Sequence, residues 1–279
     1  MKIIWLLALF SLSACTHIPT WQERNETALD LATQAGWQKE YIETDNFILA
    51  SFLPKTPATA ETLTIYLEGD GFAWINSLTP SEDPTPIDPL ALKLALRDDS
   101  PAIYLARPCQ FITNEYNKNC SKKYWTGSRY SAEVIQSTNQ AIDQIKHRFK
   151  VNKFILVGYS GGGAVACLVA ARRTDVARLI TIAGNIDHRA WTMGNHLSPL
   201  LGSLNPADEW MYLQNIPQTH YVGGKDQVIG EYVARSFVSH FSDNQTRSII
   251  IIPEYDHHCC WIEKWPALKN MNVTATVKN

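Results

Sequence analysis

The chain has 279 residues, 45% of them hydrophobic, and 25 Lys and Arg stand against 27 Asp and Glu for a formal net charge of −2. That is enough apolar material for one sizeable core, at a length ordinary for a single α/β domain. The near balance of charge leaves no strong positive field of the kind nucleic acid attracts, so no nucleic-acid partner is expected.

Taken in chain order, Met1-Lys2 opens a short apolar run over residues 3–10, too short to span a bilayer. Leu12-Ser13-Ala14-Cys15 follows it. This tetrapeptide resembles the lipobox of bacterial lipoproteins. The resemblance implies a signal peptide over 1–14, cleavage before Cys15, acylation of that residue and anchoring of residues 15–279 to a membrane. The other reading is a plain secretory signal with an incidental cysteine. Thr16, in place of the aspartate linked with inner-membrane retention in enterobacterial lipoproteins, points to the outer membrane.

Residues 25–34 have helical spacing, with Ala28, Leu31, Ala32 and Ala35 on one side and Gly36 as a stop. Strands are expected at 47–52 and 63–67, the second ending in Glu68-Gly69-Asp70-Gly71. A Pro/Ser/Asp loop at 79–86 leads to a helix at 88–96 with Pro89 in its first turn. A strand at 102–106 precedes a cysteine-flanked polar loop. The stretch 131–149 is an amphipathic helix with Val134, Ile135, Ile142 and Ile145 inside. The apolar run from Phe154 enters Gly158-Tyr159-Ser160-Gly161-Gly162 and a helix rich in small residues. Beyond it come a strand at 178–183, an irregular lid over 186–210, a strand at 219–224, a helix at 228–241, a strand at 248–253 and a closing helix from Trp261. Strands alternate with helices and several are apolar throughout, as a mostly parallel sheet covered on both faces requires. No internal repeat is present, and no linker long enough to divide the domain.

Export implies an oxidising compartment, where cysteines pair. Cys109 and Cys120 flank the polar loop and are expected to close it as a disulfide. Cys167 reads as a small core residue, and adjacent Cys259 and Cys260 as one vicinal bond or two free thiols.

Gly158 to Gly162 fits G-x-S-x-G, and the flanking strand and helix are the setting of a nucleophile elbow. Such a turn lifts the Ser160 hydroxyl out of the sheet at a helix N-terminus, where the Gly161 amide favours a developing oxyanion. A serine needs a base, and the base an acid to orient it. After an elbow the acid precedes the histidine along the chain. Asp226, on a glycine turn after a strand, is the first choice of acid, although the same position suits a helix cap; Asp187 is the rival. For the base, His257 is preferred to His258 in Asp256-His257-His258-Cys259-Cys260. Adjacent residues in one loop rarely converge on one ion, so neither a zinc site nor any other cofactor is expected. The second oxyanion amide falls on Asp70, whose charge is costly there unless it points away or is paired. Trp74, Trp125, Trp191 and Trp210 are candidates for an acyl pocket, with core packing as the plainer reading.

Tyr66-Leu67-Glu68-Gly69-Asp70-Gly71, Ala106-Arg107-Pro108-Cys109-Gln110, Tyr124-Trp125-Thr126, Arg129-Tyr130-Ser131, the Ser160 elbow and Asp256-His257-His258-Cys259-Cys260-Trp261 resemble the α/β-hydrolase superfamily. More narrowly, they resemble exported bacterial α/β-hydrolase lipoproteins, over nearly the whole mature chain. The resemblance implies an α/β-hydrolase fold and a serine hydrolase with Ser160, Asp226 and His257 as its triad, acting on a small-molecule acyl substrate. The alternative is an envelope lipoprotein that keeps the fold for binding and has no working site. The sequence sets neither the acyl group nor the oligomeric state.

Overall fold

The computed structural model describes residues 17–55, 60–242 and 247–271. The apolar segment 1–14 and Cys15 lie outside the described residues. No helix among the described residues is long and apolar enough to cross a membrane.

Helix α1 (Trp21–Gln34) begins four residues before the sequence pattern suggests. Thr20 accepts from Glu23 N–H while Glu23 reaches back to the Thr20 amide, a capping box that fixes the true start. Gly36 ends the segment at φ +75°, and Ala35 is exposed rather than inside. Strand β1 (Trp37–Glu43), not expected from the sequence, pairs antiparallel with β2 (Ile48–Pro54). At the edge of the sheet it carries Gln38, Lys39 and Glu40, so the apolar run that marks an inner strand is missing.

Strand β3 (Thr62–Leu67) runs up the centre of the sheet. The loop after it forms a small hairpin, β4 (Trp74–Asn76) and β5 (Thr79–Pro80), also unforeseen. Helix α2 (Leu90–Ala95) has Pro89 as its cap residue rather than inside its first turn. Then come β6 (Ala102–Leu105), α3 (Ala132–Phe149), β7 (Lys153–Tyr159), α4 (Gly161–Ala170) and β8 (Val176–Ile182). The segment read as an irregular lid holds helix α5 (His188–Gly194) and ends at α6 (Trp210–Leu213). Strand β9 (Gln218–Gly223), helix α7 (Glu231–Ser239), strand β10 (Arg247–Ile252) and helix α8 (Trp261–Lys269) complete the order.

The eight-stranded sheet runs β1-β2-β6-β3-β7-β8-β9-β10, antiparallel only where β2 meets β1 and β6. Alternate side chains of its strands feed two apolar layers. Leu63, Ile65 and Leu67 of β3 join α3, α4 and α7 on one face, while Tyr66 joins α1, α2 and α8 on the other. The loops after β3, β7, β9 and β10 emerge at one edge, the carboxyl end of parallel strands where α/β sheets hold their ligands.

Cys109 and Cys120 are disulfide-bonded with Cα atoms 5.6 Å apart, Cys259 and Cys260 are bonded to each other, and Cys167 is a buried free thiol.

Candidate active site

Strand β7 delivers Ser160 at φ 51° and ψ −120°, a conformation non-glycine residues avoid and one that persists only where the surroundings enforce it. The enforcement is visible on both sides. Ser160 N–H donates to Ile182 O at 2.9 Å, and Ser160 O accepts from Gly163 and Asn185, both at 3.0 Å. Strand and helix cross so closely that a Cβ on Gly158 would lie 2.2 Å from the Gly162 carbonyl oxygen. Ser160 itself is half-buried, and Gly161 begins α4, where the first N–H groups have no partner within the helix.

His257 Nε2 lies 3.1 Å from Ser160 Oγ, and its Nδ1 lies 2.8 Å from Asp226 Oδ2. A carboxylate only accepts, so Nδ1 carries the hydrogen toward Asp226 and Nε2 is left to accept from the serine hydroxyl. Asp226 is fixed in turn: its Oδ1 accepts from the Val228 and Ile229 amides, each at 2.8 Å. Capping and orienting are thus two halves of one carboxylate. Asp187, the rival acid, is spent elsewhere: it caps α5 and accepts from Ser236 and Asn205.

The histidine loop is braced by the residue before the serine. The Tyr159 hydroxyl lies 3.2 Å from His257 O and 3.1 Å from His258 Nδ1. Trp261 Nε1–H donates to the Asp256 and His257 carbonyls, and Asp256 Oδ1 accepts from the His258 and Cys259 amides. His258 therefore sits beside the line from serine to acid, outside it. Burial first, then the neighbouring His257, pulls its pKa below the ordinary imidazole value.

The loop after β3 closes the site from the other side. A Cβ on Gly69 would lie 3.3 Å from Ser160 Cβ, so this backbone rests against Ser160. Glu68, 1% exposed, points inward and accepts from Gly69 N–H at 2.9 Å; burial pushes its carboxyl up to about 7. Asp70, the residue whose charge looked costly in the sequence, proves to be paired twice. Its Oδ1 is 3.2 Å from Arg107 Nη1 and its Oδ2 is 2.6 Å from Arg129 Nη1, with the Tyr130 hydroxyl at 3.4 Å. Burial opposes its ionisation, but the Arg129 and Arg107 charges outweigh it and hold the carboxyl below the usual range. Arg107 also donates to Arg129 O, and Arg129 Nε to Thr126 O at 2.7 Å, so both guanidinium groups are themselves anchored. The cluster carries one surplus positive charge beside the serine.

Of the four tryptophans, Trp125 is core, packed with Phe47, Ala73 and Val134, and Trp210 stacks edge-on against Phe241. Trp74 stands out on the hairpin. Trp191 alone faces the site: its ring lies 5.9 Å from the Arg129 guanidinium, and its Nε1–H donates to Val228 O beside Asp226.

Neither a protein-family model nor a curated protein matches the sequence. Solved structures do match it. The Pyrococcus furiosus esterase Pf2001 is 12% identical over 85% of this chain and 90% of that one, with a TM-score of 0.57. Est1E from Butyrivibrio proteoclasticus is 15% identical over 82% of this chain and 95% of that one, TM-score 0.57. An alpha-beta serine hydrolase homologue from Coxiella burnetii is 14% identical over 83% and 93%, TM-score 0.54. Strand order and these likenesses agree: the chain has the α/β-hydrolase fold.

Proposed function

We propose that the chain is a serine hydrolase of ester or related acyl bonds, tethered to a bacterial outer membrane through lipid on Cys15. The observation that carries the enzymatic half is the unbroken run Ser160 Oγ to His257 Nε2 to Asp226 Oδ2, at 3.1 and 2.8 Å, mounted on a strained elbow. That solved structures described as esterases share the fold adds support.

In this reading Ser160 attacks the substrate carbonyl as His257 takes its proton, and Asp226 steadies the imidazolium that forms. The amides of Gly161 and Asp70 hold the oxyanion. The guanidinium groups of Arg107 and Arg129 cancel the Asp70 carboxylate, which would otherwise oppose the charge developing there. His257 then returns the proton to the leaving group, and water repeats the sequence on the acyl enzyme. The tether rests on Leu12-Ser13-Ala14-Cys15 and the apolar run before it.

The test is hydrolysis of p-nitrophenyl esters of increasing chain length. Turnover by the wild type, reduced by about a thousandfold or more in Ser160→Ala, is expected. Equal rates in the two proteins would end the proposal. Recovery of the chain with the outer-membrane fraction, lost when Cys15 is replaced by serine, tests the tether.

A further inference from the structure

The hairpin of β4 and β5 projects from the loop that follows Gly69–Gly71, and among the described residues its apolar side chains are exposed. Trp74, Ile75 and Leu78 are 39%, 47% and 88% exposed. Its base, by contrast, is fixed. Ser81 N–H donates to Ala73 O at 3.0 Å, Phe72 N–H to Pro84 O at 3.1 Å, and Trp125 Nε1–H to Ser81 O at 3.2 Å. Single exposed apolar residues are ordinary, but three within five positions, on a tip held by a rigid base, form a patch of the kind that marks contact.

Its position says with what. The start of α1 abuts the same loop: Arg24 donates to the carbonyls of Asp83 and Thr85 and lies 5.3 Å over the Phe72 ring. The chain therefore enters the fold beside the base of the hairpin. Cys15 precedes Trp21 by six residues, which reach at most about 20 Å when extended. A bilayer holding lipid on Cys15 is within reach of the tip. Tryptophan and aliphatic side chains are the types that settle at the boundary between headgroups and acyl chains. The charged groups at the base are paired, Arg24 with Asp83 and Lys122 with Glu82, so the contact is apolar and asks for no anionic lipid.

We propose that the β4–β5 hairpin is a second membrane contact, seated in the headgroup boundary of the bilayer to which Cys15 tethers the chain. The inference rests on the lipid-anchored hydrolase reading above. A tether fixes distance, and a second shallow contact fixes orientation. Because the tip and the Gly69–Gly71 backbone belong to one loop, the contact turns the mouth of the site toward the surface. Esters dissolved in the membrane then reach Ser160 ahead of esters in water.

The experiment uses the full acylated chain, purified from bacterial membranes and reconstituted into zwitterionic phospholipid vesicles. Brominated phospholipid should quench tryptophan fluorescence more in the wild type than in Trp74→Phe. The paired substitution Ile75→Asn with Leu78→Asn should slow hydrolysis of a long-chain p-nitrophenyl ester held in the vesicles by about tenfold. The same variant should cleave water-soluble p-nitrophenyl acetate within about twofold of the wild type, as exposed positions predict. Equal quenching in wild type and Trp74→Phe overturns the contact, as does an equal loss on both esters. So does a wild-type dimer that the paired substitution dissociates while quenching is unchanged, since a second copy would then be the occupant. Failure of the underlying reading looks different: no cleavage of the soluble ester removes the hydrolase, and no co-sedimentation with vesicles removes the tether.

Discussion

The Asp70 carboxylate occupies the space that a side chain on Gly161 would need: a Cβ there would fall 2.1 Å from Asp70 Oδ1. Glycine after Ser160 is thus required by the carboxylate above it, which two arginines hold in place. Gly161→Ala keeps the backbone amide but must displace Asp70 or the helix start. Ester turnover should fall by roughly a hundredfold, the loss seen when one oxyanion donor is misplaced. In an Asp70→Ala background the same change should cost much less. A double-mutant cycle on kcat measures the difference.

Arg107 and Arg129 are 6% and 7% exposed, and each holds one oxygen of Asp70. Removing Arg129 leaves Asp70 paired with Arg107 but takes the ion-pair partner from its Oδ2, a buried hydrogen-bonding loss of about 1–3 kcal/mol. Arg129→Met should therefore lower the urea midpoint sharply and depress kcat more than it raises KM. Arg129→Lys should recover part of the stability. An Arg129→Met protein as stable as the wild type would show that the pairing does not matter.

Glu68 links the site to pH. Burial raises its carboxyl to about 7, so the folded chain keeps that proton where the unfolded chain, at about 4.3, has lost it. Between those values the folded state binds more protons, and stability from this group falls as pH rises. It is fully present below about pH 4.3 and gone above about pH 7, a change of roughly 4 kcal/mol. Glu68→Gln has nothing to titrate. Its unfolding free energy, subtracted from that of the wild type at pH 5 and at pH 7.5, should expose this slope; a slope of opposite sign contradicts the assignment.

The Cys109–Cys120 bond closes a loop with a sequence separation of 11. Loop-closure entropy for that length corresponds to about 3 kcal/mol. Replacing both cysteines by alanine should lower the unfolding free energy by about that amount, measured by urea denaturation under oxidising conditions. Ester turnover should fall only modestly: Gln110, inside the loop, donates to Gly69 O at 3.0 Å, while Ser160, His257 and Asp226 are held together by other elements.

How much of the fold and site is legible in the sequence follows from how local each signal is. The central strands are readable because a short apolar run bounded by glycine or proline suits a buried strand and little else. Ser160 is readable from five consecutive residues, and Asp226 and His257 from their places after strands. The edge strand β1 is not, since Gln38, Lys39 and Glu40 break the apolar pattern, and helix α5 is hidden by a segment rich in Asn, Trp and Pro. The start of α1 is marked by Thr20 and Glu23, a capping box three residues apart. The partners of Asp70 carry no such mark. Arg107 and Arg129 stand 37 and 59 residues away, and no periodicity connects the loop after β3 to two arginines brought over it by the loop after β6 and the turn before α3.

The central claim is that His257 activates Ser160 for attack, and the rate at which a fluorophosphonate modifies the protein reads this directly. Wild type should gain one phosphonyl group on the peptide containing Ser160, and Ser160→Ala none. His257→Ala should react at least about a thousandfold more slowly, while His258→Ala keeps most of the wild-type rate. Labelling that persists in Ser160→Ala, or that depends on His258 and not on His257, would contradict the account.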